Sequence, residues 1–98
     1  MRKFAFVLMG AHYDPAVHRA EFVTDSQITR ICTVRDFEQA LALVQALQAE
    51  GFGAVELCGA FGPERARMLS ETVGDRLALG YVTHDPAFDE RFTAFFGA

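Results

Sequence analysis

Four short apolar runs alternate with segments of helical period along this chain, and that alternation constrains its fold more than any other feature. The runs are Lys3–Met9, Gln27–Val34, Ala54–Cys58 and Leu77–Thr83. Each has the length and the aliphatic or aromatic content of a strand. The first and third are nearly continuous in apolar residues, which suits central strands covered on both faces. The second carries Thr29, Arg30 and Thr33 and reads as a wetter edge strand.

The helical segments have legible boundaries. Asp36 can cap a helix, with Gln39 at capping-box spacing. Phe37, Ala40, Leu41, Val44 and Leu47 then form one stripe, and Gly51 ends it. A second helix opens at Gly62-Pro63-Glu64, where proline has no N–H to lose, and ends near Gly74. A third opens at Asp85-Pro86 and runs through Phe88, Phe92 and Phe95. A further Asp-Pro pair, Asp14-Pro15, predicts a short helical turn through His18.

Strands alternating with helices predict an α/β fold with a mainly parallel four-stranded sheet and right-handed crossovers. Placing the two most apolar strands centrally gives the spatial order 2-1-3-4, a flavodoxin-like arrangement with helices on both faces. The alternative is a sequential 1-2-3-4 order, as in a slice of a β/α barrel. With 51% hydrophobic and 22% charged residues, 98 residues can build one core but not two, so residues 1–98 read as a single domain.

A formal net charge of −4 with no Lys/Arg-rich run argues against nucleic acid as a partner. Arg2 and Lys3 ahead of Phe4–Met9 resemble the start of a signal peptide. The apolar stretch stops too early, however, at His12, Tyr13 and Asp14. No run approaches the roughly 18 apolar residues of a membrane helix, so no membrane association is expected and cytoplasmic location is the default. Cys32 and Cys58 fall on strands that are not neighbours, about 9–10 Å apart at sheet spacing, and read as reduced thiols. Phe88, Phe92, Phe95 and Phe96, with Phe61 elsewhere, are a heavy aromatic load for so small a domain. Core packing accounts for the first three, and the excess points to a homo-oligomer.

In a parallel sheet, ligands bind at the carboxyl ends of the strands. That rule selects His12 and Tyr13 after the first strand, Glu56, Cys58, Gly59, Phe61 and Gly62 around the end of the third, and His84 after the fourth. Glu56 is the most anomalous, a carboxylate inside Ala54-Val55-Glu56-Leu57-Cys58. A buried, unpaired carboxylate costs several kcal/mol or takes up a proton. Such a group is paired, reaches an exposed gap, or works. His12 and His84 are candidate general acids or bases alongside it. The bland reading is loop histidines satisfied by backbone carbonyls. Two imidazoles and a carboxylate could also hold a metal, but no close ligand spacing such as H-x-x-x-H supports a particular ion. Asp14 and Asp85 precede proline and read as caps.

Tyr13 lines the cleft or covers the core. Cys58 precedes a helix N-terminus, which favours a thiolate, although a small buried strand residue is the plainer reading. The loop Gly59-Ala60-Phe61-Gly62-Pro63 could present backbone N–H groups to an anion such as phosphate or carboxylate. Its glycine spacing matches neither dinucleotide-binding nor P-loop fingerprints, so no nucleotide is indicated, and the sequence leaves any cofactor unknown.

Three segments together resemble a family of small, mostly prokaryotic proteins known only as a domain of unknown function. They are Gly10-Ala11-His12-Tyr13-Asp14-Pro15 with His18-Arg19-Ala20-Glu21-Phe22, then Val55-Glu56-Leu57-Cys58-Gly59-Ala60-Phe61-Gly62-Pro63-Glu64, then Gly80-Tyr81-Val82-Thr83-His84-Asp85-Pro86. The similarity spans essentially the whole chain. It implies a stand-alone domain and carries no activity, cofactor or catalytic residue.

Two functions are therefore open. One is a binder of a small polar or anionic metabolite at the carboxyl edge of the sheet, with acid/base or metal-assisted chemistry at His12, Glu56 and His84. The other is a non-catalytic homo-oligomeric module assembled by its phenylalanines. A redox sensor built on Cys58 is a more remote third.

Overall fold

The computed structural model describes residues 1–97. Strand β1 is Arg2–Met9, β2 Ala20–Val23, β3 Gln27–Val34, β4 Ala54–Leu57 and β5 Ala78–Tyr81. Helix α1 is Phe37–Ala49, α2 is Gly62–Val73 and α3 is Asp89–Phe96, preceded by a 3₁₀ turn at Pro86–Phe88. The sheet runs in the order β2-β3-β1-β4-β5. Strands β3, β1, β4 and β5 are mutually parallel, in the relative order expected for the four apolar runs.

The sheet has five strands rather than four. Ala20–Val23 pairs antiparallel with β3, with Glu21 opposite Arg30 and Phe22 opposite Thr29. All four of its residues are exposed, so no buried alternation marks it as a strand in sequence. The turn joining it to β3 is held by Thr24, whose Oγ1 accepts the N–H groups of Ser26 and Gln27. β2 is consequently the edge, and β3 is interior to the sheet.

The helices also depart from expectation, because α1 and α2 share one face. They pack on each other and on β1, β3 and β5. Handedness is the cause. The connections β3-α1-β4 and β4-α2-β5 cross the sheet in the same direction, and two right-handed crossovers moving the same way place their helices on the same side. The one step in the opposite direction, from β1 to β3, carries the β2 hairpin instead of a helix. Its Asp14–His18 stretch makes only a single turn, in which His18 N–H donates to the Asp14 carbonyl at 2.8 Å.

Side-chain alternation then sorts every strand. Ala5 and Val7, Cys32 and Val34, and Val55 and Leu57 point to the helices. They bury against Ala40, Val44 and Leu47 of α1 and Ala66, Leu69 and Val73 of α2. Their neighbours Phe4, Phe6 and Leu8, Ile31, and Ala54 and Glu56 point the other way. No helix packs on that second face among the described residues. β1 is apolar on both sides, as expected of a central strand, and β4 carries Ala54 and Glu56 on its second side, yet helices cover only the first.

The caps follow the sequence. Asp36 accepts from the Gln39 N–H at 2.9 Å, and the Gln39 side chain accepts from the Arg35 N–H at 2.7 Å. Gly51 adopts φ 92°, allowing Gly51 N–H to reach the Gln48 carbonyl and Phe52 N–H the Leu47 carbonyl. This is a Schellman ending, and it drives Phe52 into the core. No helix among the described residues is long and apolar enough to cross a membrane.

Candidate functional site

The parallel strands bring their carboxyl ends to one edge, and the nominated residues divide there into three groups. Above β1, the Gly10 N–H donates to the Val34 carbonyl and the chain turns back on itself. The His12 ring lies over Gly10 so closely that a Cβ at position 10 would meet His12 Cε1 at 2.7 Å and Tyr13 at 3.1 Å. The His12 and Tyr13 rings lie against each other with centroids 4.1 Å apart at a 37° tilt, and Tyr13 meets His18 edge-on at 6.0 Å. His18 Nδ1 accepts the Asp14 N–H at 2.8 Å, so His18 holds this loop more firmly than its place in sequence suggested.

Around the end of β4, the Cys58 thiol sulfur accepts the Met9 N–H at 3.3 Å, tying the tops of β1 and β4 together. Phe61 is buried in the core, so it supports the loop from beneath. Gly62 adopts φ 71°, a left-handed conformation that glycine takes without strain. Gly59 lies exposed beside the Val82 carbonyl. No side chain caps the start of α2.

Glu56 lies on the open sheet face, registered opposite Phe6 of β1 and Gly80 of β5. It is half-buried, and no ion pair or side-chain hydrogen bond among the described residues engages its carboxylate. Its oxygens occupy the gap left by the missing side chain of Gly80.

His84 belongs to another arrangement. Its Nε2 lies 2.7 Å from Asp89 Oδ1, and its ring stacks on Phe92 at 4.0 Å. Neither histidine is hydrogen-bonded to Glu56. Among the described residues, no group of three or more His, Cys, Asp or Glu side chains could hold a metal ion. The structure thus brings His12, Tyr13 and His18 together, and separately His84 with Phe92, while Glu56 stands alone on the sheet.

A cleft of about 370 Å³ beside β3 did not emerge from the sequence; its lining includes Arg19, Arg30, Cys32, Leu43 and Glu50. Arg30 donates to Glu21 at 2.7 Å and to Glu50 at 3.0 Å, with its guanidinium 4.7 Å from the Phe52 ring centroid. The bond to Glu21 is the main reason its guanidinium is held above its ordinary pKa, with Glu50 adding to it against the opposing effect of burial. Burial pushes the Cys32 thiol up, an effect the nearby Arg30 and Arg19 only partly offset. Arg30 was visible as a charge inside an apolar run. Its partner Glu21 was not, because that pairing exists only once β2 is recognised as a strand.

A family model described as a family of unknown function (DUF6506) matches residues 2–97, and the chain belongs to that family. No curated protein and no solved structure matches the chain.

Proposed function

We propose that this DUF6506 protein binds a small polar ligand on the open face of its sheet, with Glu56 as the residue that selects it. One observation carries the reading. A half-buried carboxylate with no protein partner lies amid Phe4, Phe6 and Ala54, in a space that Gly80 keeps free. Covering such a group without compensation costs several kcal/mol. A ligand bearing an amine, amide or hydroxyl over an apolar body offsets that cost by hydrogen bonding to the carboxylate. An anionic substituent on the same ligand would find the uncapped N–H groups of the Gly59–Pro63 loop at the rim. Acid–base chemistry shared among Glu56, His12 and His84 would need those groups to move together, so binding is the function proposed.

The test is ligand-observed NMR with a panel of small amines, amides, polyols and amino acids. Hits that depend on Glu56 should disappear in Glu56→Gln while the fold persists by circular dichroism. A panel whose hits all survive that substitution, or that contains none, refutes the reading.

Self-association is the second reading, favoured by a different observation: the apolar sheet face carries no helix, and Phe95 and Phe96 are 81% and 75% exposed. Sedimentation equilibrium tests it directly. A species at monomer mass across the micromolar to millimolar range would exclude it.

A further inference from the structure

We propose that the segment 82–97 of one copy lies across the open sheet face of a second copy, and that the exchange is reciprocal. This deepens the self-association reading above by naming which surface meets which.

The segment is an arm. The Val82 N–H makes a last bond to the Leu57 carbonyl at 2.8 Å, after which the chain leaves the body. Every residue from 81 to 97 is exposed, α3 buries none of its residues, and its packing partner is the 3₁₀ turn before it. The molecule is elongated as a result, with extents of 40 × 28 × 25 Å. Its radius of gyration is 13.9 Å, against about 12.6 Å for a spherical domain of this length.

The arm is nevertheless ordered at its base. Asp85 accepts the Ala87 N–H at 2.9 Å, and His84 is locked to Asp89 and Phe92 as described. Beyond this elbow α3 buries no residue against its own sheet. A helix of eight residues is too short to persist unaided in water. It needs a surface.

Its composition says what kind. Phe88, Phe92, Phe95 and Phe96 are between 43% and 81% exposed, and a groove of about 240 Å³ opens among Arg91, Phe92, Phe95 and Phe96. The complementary surface is on the same chain: the half-buried Phe4, Phe6, Leu8 and Ile31 and the 58%-exposed Phe22 form an apolar sheet face on which no helix packs. Two unpartnered surfaces on one chain, each suited to the other, close most simply in a two-fold dimer.

The area suffices. At ~200 Å² per phenylalanine, the four rings offer roughly 500 Å² still exposed. Two arms and the two sheet areas they cover amount to about 2,000 Å², the size of a stable specific interface. The partner's arm would then roof the face on which Glu56 lies.

Complementation between variants of the full chain tests the geometry by sedimentation equilibrium. The arm variant is Phe95→Glu/Phe96→Glu and the face variant is Phe6→Glu, with the exposed Phe22→Glu replacing the latter if it does not fold. Wild type should dimerise, and each variant alone should dissociate at least about 30-fold more readily. Mixing the two should restore dimers, because each mixed pair retains one intact arm on one intact face. A monomeric wild type overturns the proposal. So does an arm variant that still dimerises, which would mean sheet-to-sheet pairing. A face variant that still dimerises would mean arm-to-arm pairing and overturns it equally, and so does a mixture that stays monomeric, since an intact arm would then fail to engage an intact face. Glu56-dependent ligand binding is scored separately by NMR, so failure of the dimer and failure of the binding reading are distinguishable.

Discussion

The carboxylate of Glu56 occupies the space that a side chain at Gly80 would need: a Cβ there would stand 2.9 Å from Oε2 and 3.0 Å from Oε1. The two residues face each other across the parallel β4–β5 ladder. Glycine weakens a strand, and here its absent side chain gives a charged group room on an apolar face.

Gly80→Ala should therefore displace the carboxylate without unfolding the protein. The crowded atoms are the far end of a flexible side chain, so stability by urea denaturation should change by no more than about 1 kcal/mol. Ligand binding that depends on Glu56 should fall as it does in Glu56→Gln. Combining the two substitutions should weaken binding no further, since each removes the same contact. Additive losses would show that Gly80 and Glu56 act independently.

Gly10→Ala should displace the His12 ring. A Cβ there would meet His12 Cε1 at 2.7 Å, and because His12 is exposed the ring can swing outward, away from Tyr13. The loss in urea denaturation should be no more than about 1 kcal/mol. The His12 imidazole resonances should shift as the ring leaves Tyr13. Unchanged resonances would mean that the ring contact does not persist in solution.

Arg30 joins three elements by bridging Glu21 of β2 and Glu50 at the end of α1 while lying over Phe52. Arg30→Ala should cost about 2 kcal/mol, because its two charge-assisted bonds and its stacking are lost together. Arg30→Lys should recover less than half of that, since one ammonium cannot reproduce the fork. Equal stability of the Lys variant and wild type, measured by urea denaturation, would contradict this account.

The two free thiols should separate kinetically. Native Cys58 is half-exposed and Cys32 is buried, so alkylation followed by mass spectrometry should modify Cys58 on the order of 10-fold faster or more. Burial favours the neutral Cys32 thiol and raises its pKa on folding. Its contribution to stability is therefore complete below the ordinary thiol range and is lost as pH rises toward the folded value. Stability should decline under alkaline conditions, and Cys32→Ala should flatten the decline. An unaltered alkaline slope would assign the loss to other groups.

Much of the site is local chemistry and was legible. Asp36 as a cap, Gly51 as a helix stop and the Gly62-Pro63 helix start depend only on neighbouring residues, and each appears where the sequence placed it. Glu56 was conspicuous as a charge in an apolar run. Whether it meets His12 or His84 depends on how three loops leave the sheet, and no spacing in the chain encodes that. His84 also has an aromatic partner eight residues ahead, in a helix that leaves the body. In sequence, that helix carries the phenylalanine spacing of a buried element.

Sequence alone determined that the four apolar runs are strands and ranked the order β3-β1-β4-β5 above a sequential one, because apolar content ranks strands by burial and right-handed crossovers restrict how they connect; the structure has that order. Only the tertiary structure decided that one face of the sheet carries no helix. The β1–β3 connection is a hairpin with no buried residue on its outer strand, and hydrophobic pattern reports burial without reporting what provides it. A strand apolar on both sides looks the same whether its second cover is a helix of its own chain or a surface supplied by another.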